Sequence, residues 1–367
     1  NTEVQVKKAD IHFIETFPRL TIQLKGLQIK DALEGSNDSL MVLKSVELGL
    51  DVKKLFVGEY TINSCNLNNG YIHIKIDEKG QHNYNVLKPI GEKKEAQPFS
   101  VKISDLHLNN VEVRYLDQRV QNNHLILAHR ADCKLNHDVS LTNLTVIGEF
   151  DCKQIGLFKK KYLEGKPFSI DANLIYDNVA NSVEFAESQL TIEQADFQLK
   201  GKIVVEESKT WDLKISSPNT DIQSLISLLP RNISKELGAY KSSGNLYFDG
   251  SIKGVQSKHS SPLVKVDFGF SSASFYHPEL DKKITKSTLN GRFTNGVNRN
   301  TSSSVLSLQD FKGYIGKDLM EGNLMYKNFE NPYLDIDLKG KFAVESALKV
   351  YPIQKLKNAT GNLEADV

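Results

Sequence analysis

The sequence predicts a mostly β fold, a long curled antiparallel sheet carrying a few short helices, and three observations carry that expectation. Apolar and polar residues alternate with period two along most of the chain, turn residues punctuate the alternating runs, and helical patterns are few and short. Alternation puts successive side chains on opposite faces, so each run has one apolar and one wet face. Strands buried on both faces would read as continuous Val/Ile/Leu runs, which are scarce here.

In chain order, Val46, Leu48, Leu50 and Val52 alternate with Ser45, Glu47, Gly49 and Asp51. Ile72, Ile74 and Ile76 alternate with His73, Lys75 and Asp77, and Val111, Val113 and Tyr115 with Glu112 and Arg114. Leu213 and Ile215 flank Lys214, while Leu334, Ile336 and Leu338 flank Asp335 and Asp337. Asn68-Asn69-Gly70, Lys79-Gly80, Asn109-Asn110, Asn178 to Asn181 and Asn295-Gly296 read as turn signals. Thr220 and Asp221 can cap a helical turn carrying Ile222, Leu225, Ile226 and Leu229, which Pro230 stops. Lys53 to Val57 and the run Val344, Ala347, Leu348, Tyr351 before Pro352 are further short helical patterns.

Two repeats stand out. Cys65-Asn66-Leu67-Asn68-Asn69 returns 41 residues later as Leu106-His107-Leu108-Asn109-Asn110. Leu190 to Gly250 and Leu306 to Val367 share an order of three strands, a short helix ending at Pro230 or Pro352, then Gly-Asn-Leu at residues 244 and 361. Repeats that each expose an apolar face need neighbours to cover it. The expected division is an N-terminal β region over 1–120, a β-hairpin region over 121–185, and duplicated repeats over 186–367.

Composition excludes several classes. The 367 residues are 40% hydrophobic and 25% charged, which is globular rather than disordered or collagenous. Lys plus Arg (46) balance Asp plus Glu (45), leaving no basic footprint for nucleic acid. No P-loop, Gly-x-Ser-x-Gly, Gly-x-Gly-x-x-Gly or His-Glu-x-x-His motif occurs, so an enzyme is not expected, nor a cofactor. His129, Cys133 and His137, with Cys152, have ligand types suited to zinc, but their surroundings read as an exposed hairpin. The three cysteines include a candidate disulfide between Cys133 and Cys152, with Cys65 a small buried hydrophobe. Lys159 to Lys161, after Phe158, is a loop charge cluster that could also meet anionic headgroups. The single Trp211 and the scattered Tyr and Phe read as core or groove lining rather than a stacking platform.

A sheet with one apolar face must cover it with a second sheet, by closing into a barrel, with helices, or with a ligand. Helices are too scarce. Alternation alone therefore leaves a β-sandwich or barrel and an open apolar groove both standing.

A longer stretch bears on that choice. Phe17-Pro18-Arg19-Leu20-Thr21-Ile22 opens a strand, and Val46 to Val52 runs into Lys53-Lys54-Leu55-Phe56 and Gly58-Glu59-Tyr60. Ile62 to Leu67 leads to Asn69-Gly70-Tyr71-Ile72-His73-Ile74, and Gly80 precedes Asn83-Tyr84-Asn85. This order, over residues 15 to 90, resembles the N-terminal region of the AsmA family of Gram-negative envelopes, with Tyr84 where the family usually has Trp. The resemblance implies a repeating β-groove like that of AsmA and TamB proteins. It implies a periplasmic location, an inner-membrane anchor helix ahead of Asn1, and a chain cut from a longer one. It also implies phospholipids as ligands, outer-membrane components as partners, and a role in lipid transport between the two membranes. The groove would be lined by Ile72, Ile74, Ile76, Val111, Val113, Tyr115, Leu213, Ile215, Leu334, Ile336 and Leu338. The alternatives are a non-enzymatic scaffold or chaperone for outer-membrane protein assembly, and a glycan-binding module. The latter would need clustered carboxylates or an aromatic platform, which the sequence does not display.

Overall fold

In the computed structural model the alternating segments are strands. The structure describes residues 3–13, 20–33, 35–56, 61–86, 100–119, 121–138, 140–157, 160–205, 208–228, 235, 238, 241–257, 260–277, 282–343 and 362–366. The Phe17-Pro18-Arg19 strand start, the Gly58-Glu59-Tyr60 turn, Phe158 and Lys159, Pro230, and the helical pattern from Val344 to Pro352 lie outside those residues. Among the described residues the chain is mostly β with two short α-helices, and its sheet is open and curled rather than closed. No helix among them is long and apolar enough to cross a membrane.

The chain divides into two units, residues 1–176 and 177–367. The expected boundary at residue 120 falls inside unit 1, and the one at 185 falls inside a strand of unit 2.

Unit 1 contains β1 (Val4–Gln5), β2 (Lys8–His12), β3 (Leu20–Lys30), β4 (Ser39–Leu50), β5 (Thr61–Ile76), β6 (Ser100–Asp117), β7 (Asn122–His137), β8 (Leu141–Leu157), β9 (Lys160–Tyr162) and β10 (Lys166–Asp177). The strands β3 to β9 pair in chain order, and β1 and β2 both pair with β3. Helix α1 (Val52–Phe56) follows β4, capped by Asp51, whose Oδ1 accepts the Lys53 and Lys54 amides at 3.0 and 3.3 Å.

One pair departs from the antiparallel expectation: β5 and β6 run parallel. This explains the first repeat. Cys65, Asn66, Leu67 and Asn68 lie beside Leu106, His107, Leu108 and Asn109, so the two copies are neighbours in register. The Asn109 amide donates to Asn68 Oδ1 and the Asn110 amide to Asn69 Oδ1, each at 3.0 Å. The Asn pairs are not turns, as the sequence suggested. They lie in the middle of strands of 16 and 18 residues, far longer than the usual five or six. Asn69 and Asn110 take positive φ (52° and 53°), as does Gly26 (64°) at the same height on β3. Asparagine tolerates this left-handed conformation because its short amide bonds locally. A line of such residues bends successive strands at one height.

Beyond Ile72, β5 has outrun β4, and Asn83 replaces the missing strand. It is buried; its Oδ1 accepts the Lys75 amide at 2.8 Å and its Nδ2 donates to His73 O at 2.7 Å. Its backbone carbonyl accepts the Ala32 amide at 2.8 Å. The Gly80-x-x-Asn83 stretch is therefore a structural splice joining β5 to the β3–β4 loop.

Unit 2 contains β11 (Ser182–Ile192), β12 (Ala195–Val205), β13 (Lys209–Asp221), β14 (Ser243–Gln256), β15 (Leu263–His277), β16 (Lys282–Thr294), β17 (Val305–Ile315), β18 (Asp318–Lys327), β19 (Tyr333–Ala343) and β20 (Asn362–Asp366), each antiparallel to the next. Helix α2 (Ile222–Leu228) joins β13 to β14, its cap being Asp221, whose Oδ2 accepts the Ser224 amide at 2.9 Å. A second bend line crosses this unit through Gly244 (φ 120°), Ser272 (58°), Lys286 (51°) and Asp310 (54°), where the strand register shifts.

Candidate functional site

A bent strand brings the apolar side chains on either side of the bend toward one another. In unit 1 they meet and fill the space. Leu27, Leu43 and Val111 from one side pack with Val46, Cys65 and Leu67 from the other, surrounded by Leu24, Ile29, Met41, Leu48, Ile72, Ile103, Leu106, Leu108 and Val113. Register puts Leu27, Leu43, Gly70, Val111 and Ala128 in one row across five strands, and Leu24, Val46, Leu67, Leu108 and Ala131 in another. Of the residues expected to line a groove, Val111 (0% exposed), Ile72 and Val113 sit in this packed cluster, and Ile76 is buried too. Ile74 and Tyr115 are half-buried neighbours, and the Tyr115 ring stacks on His124 at 5.8 Å.

Unit 2 likewise carries small side chains at its bend. Ser217, Thr220, Ala273 and Ser287 are buried at the bend. Small residues let the strands turn but do not fill the inside. Ser217 Oγ donates to the Asp196 carbonyl and also meets the Thr220 hydroxyl. Next to this row lies an open cavity of about 570 Å³ lined by Phe270, Phe275, Ile284, Leu289, Leu308, Phe311, Leu324, Ile336 and Leu338, with Ile226 of α2 at one end. Gly322 lies between Phe311 and Leu338 in the ladder, and the Leu338 side chain leans over its bare backbone. Gln223 holds the helix over β14 by donating to Ser242 Oγ at 2.9 Å. Among the described residues no ionisable side chain lines the cavity, and Ser242 and Asn323 are the polar ones that do. The volume is in the usual range for small-molecule pockets.

Ile336 and Leu338 of the expected lining are therefore brought together in this trough. Leu334 lies beside it, half exposed, and Ile336 is 43% exposed. Leu213 is buried and Ile215 half-buried on β13, away from the cavity. Asp337 belongs to the opposite face, where it accepts the Asn323 amide at 3.4 Å.

The cysteine expectation is overturned. All three thiols are free. Cys133 lies opposite Val146 and Cys152 opposite Ile126, on either side of the bend. Six to seven residues apart along the ladder at ~3.4 Å each, they are separated by roughly 20–24 Å of strand, against the ~7 Å limit for a bridged pair. Cys65 is a buried apolar residue as expected, and burial pushes its thiol up to about 11. The candidate zinc ligands serve other partners. His129 Nε2 pairs with Asp151 at 3.1 Å and His137 Nδ1 meets Thr142 Oγ1 at 2.9 Å; no metal-holding cluster occurs among the described residues.

On the outer face of unit 1 a polar ladder crosses the strands. Gln23 donates to Glu47 at 3.1 Å, Asn66 to the other Glu47 oxygen at 3.2 Å, and His107 Nδ1 meets Asp132 at 2.5 Å. The His107 bond holds the Asp132 carboxyl below its ordinary range. These bonds fix strand register. No protein-family model, curated protein or solved structure matches the chain.

Proposed function

We propose that this chain is a periplasmic, AsmA-like lipid carrier. It shields phospholipid acyl chains in an apolar groove and supports lipid transport between inner and outer membranes. The observation that carries this reading is the open trough of unit 2, about 570 Å³ and lined mostly by aliphatic and phenyl side chains, with no ionisable one among the described residues. Such a surface offers little to a charged ligand. It rewards an alkyl chain by ~0.8 kcal/mol for each methylene removed from water. Binding by partition needs no specific polar contact, so acyl chains could slide along the trough while headgroups stay in solvent. The likeness of residues 15–90 to AsmA sequences supports an envelope setting with an inner-membrane anchor.

The test is native mass spectrometry of the purified chain, with extraction and identification of co-purifying lipid. Near-stoichiometric phospholipid, lost on Ile336→Asp while the fold is retained, is the expected result. A folded, lipid-free chain that also fails to take up phospholipid from vesicles would overturn it and favour a scaffold for client proteins.

A further inference from the structure

A second cleft of about 400 Å³, lined by both polar and apolar groups, lies on unit 2 and is built by β13 to β17. Phe270 and Leu289 border both the trough and this cleft, while their neighbours Gly269, Ser271, Thr288 and Asn290 line the cleft alone. Gly269 forms the cleft floor, flanked in register by Tyr247 on β14 and Asn290 on β16. A Cβ on Gly269 would stand 2.6 Å from Tyr247 Cε1 and 2.8 Å from its hydroxyl oxygen. The phenol ring thus crosses the sheet over the bare glycine backbone, and its hydroxyl donates to Asn290 Oδ1 at 3.3 Å. Tyr247 remains 42% exposed. Asn290 Nδ2 in turn donates to Asp310 Oδ2 at 3.3 Å, so the amide and carboxylate are held at the ring's edge. Asn219, Asn245 and Thr288 add donors and acceptors around the cleft.

We propose that this cleft binds a neutral saccharide, one sugar ring seated on Tyr247 and its hydroxyls bonded to Asn290, Asp310 and Asn245. A sugar presents an apolar C–H face and a rim of hydroxyls that both donate and accept. A fixed, partly open aromatic ring offers an apolar surface for the first, and amide and carboxylate groups offer both bonding senses for the second. The charge pattern selects a neutral ligand. Lys312, the cation of the cleft, is engaged by Glu321 at 2.8 Å, and Asp310 is a carboxylate that would repel an acidic sugar. A peptide strand is a poorer fit, because β14 to β17 are each paired on both sides and leave no open ladder.

The experiment is saturation-transfer NMR and calorimetry on the whole chain with chitotetraose, cellotetraose, maltotetraose and mannotetraose, and trigalacturonate as the acidic control. At least one neutral oligosaccharide should bind, and Tyr247→Ala should weaken it by about tenfold or more, as loss of an aromatic anchor does. Tyr247→Phe, which keeps the ring, should cost about threefold or less by the net worth of one hydrogen bond. Asn290→Ala gives an independent check should Tyr247→Ala melt early. Ile336→Asp, in the trough, should leave sugar binding unchanged. Failure of all four neutral sugars, preference for the acidic control, or full binding by folded Tyr247→Ala and Asn290→Ala would each overturn the proposal.

Discussion

Unit 1 and unit 2 bend their strands in the same way and do opposite things with the space inside. In unit 1 the bend is flanked by Leu27, Leu43, Val46, Leu67 and Val111, and these side chains close on one another. In unit 2 the bend itself carries Ser217, Thr220, Ala273 and Ser287, and the larger Phe and Leu residues beside it stand apart around a cavity. The alternation is equally regular in both. What differs is how the large side chains beside the bend meet, closing on one another in unit 1 and standing apart in unit 2. Whether a curled sheet becomes a core or a trough therefore depends on a handful of positions rather than on the strand pattern.

That contrast can be broken by charge. Val111→Asp would bury an unpaired carboxylate in a filled cluster, and unit 1 should unfold or lose ~3–5 kcal/mol in a urea titration. Ile336→Asp puts the same group at a partly solvated trough wall. It should cost under ~1 kcal/mol while abolishing uptake of a fluorescent acyl probe. Equal destabilisation by the two would mean that unit 2 is packed like unit 1. Truncation should give a smaller version of the split. Leu43→Ala should cost ~2–5 kcal/mol, the cavity penalty of a tight core. Leu308→Ala, beside existing empty space, should fall at or below the bottom of that range in the same titration.

Bend chemistry comes next. Asn110→Val should cost ~1–2 kcal/mol because a β-branched residue resists positive φ, and Asn110→Gly should cost less despite losing the amide contact to Asn69. Thermal melts of the two variants would order them. Smallest is a pH effect confined to unit 1. Burial, then the nearby Arg114, holds the His73 imidazole below its ordinary range. The unfolded chain then binds the proton more readily, so this contribution is intact above the unfolded value of about 6.5 and is lost as pH falls through it. His73→Phe should flatten the fall in unfolding free energy between pH 7 and 5. Cys65 has the reverse sign: its raised thiol should weaken the fold only as pH climbs past the ordinary cysteine value, and it should resist alkylation at pH 8 until denaturant is added.

Much of the fold was legible in the alternation, because period two reports directly which face of a strand is wet. The helix over residues 222–228 was legible from its cap at Asp221. What alternation hides is anything that depends on pairing. Asn68-Asn69-Gly70 has the composition of a hairpin turn, and only the parallel neighbour with its own Asn109-Asn110 makes it a mid-strand bend. The Cys133–Cys152 spacing suits a bridged hairpin, but the register separates the thiols. The trough was half legible. Ile336 and Leu338 were visible as one face of a strand, but Phe270, Phe275 and Phe311 join them only once β15 to β19 are aligned. Tyr247 gave no signal at all, since its platform is made by a glycine on the next strand and an asparagine on the one after.

The order of the strands has a consequence for how the chain reaches this state. From β3 to β9, and again from β11 to β20, each strand pairs with its neighbour in sequence. Loop closure is short at most antiparallel steps, the long ones being residues 222–242 before β14 and 344–361 before β20, so most hairpins can zip outward at low entropic cost. Within unit 1 the parallel step from β5 to β6 has the longest connection, because residues 77–99 must be closed before the Asn ladder can form. That step is the slow one expected in refolding of unit 1, and a ribosome emitting the chain from its N-terminus would hold β3 to β5 ready as a template well before β6 emerges.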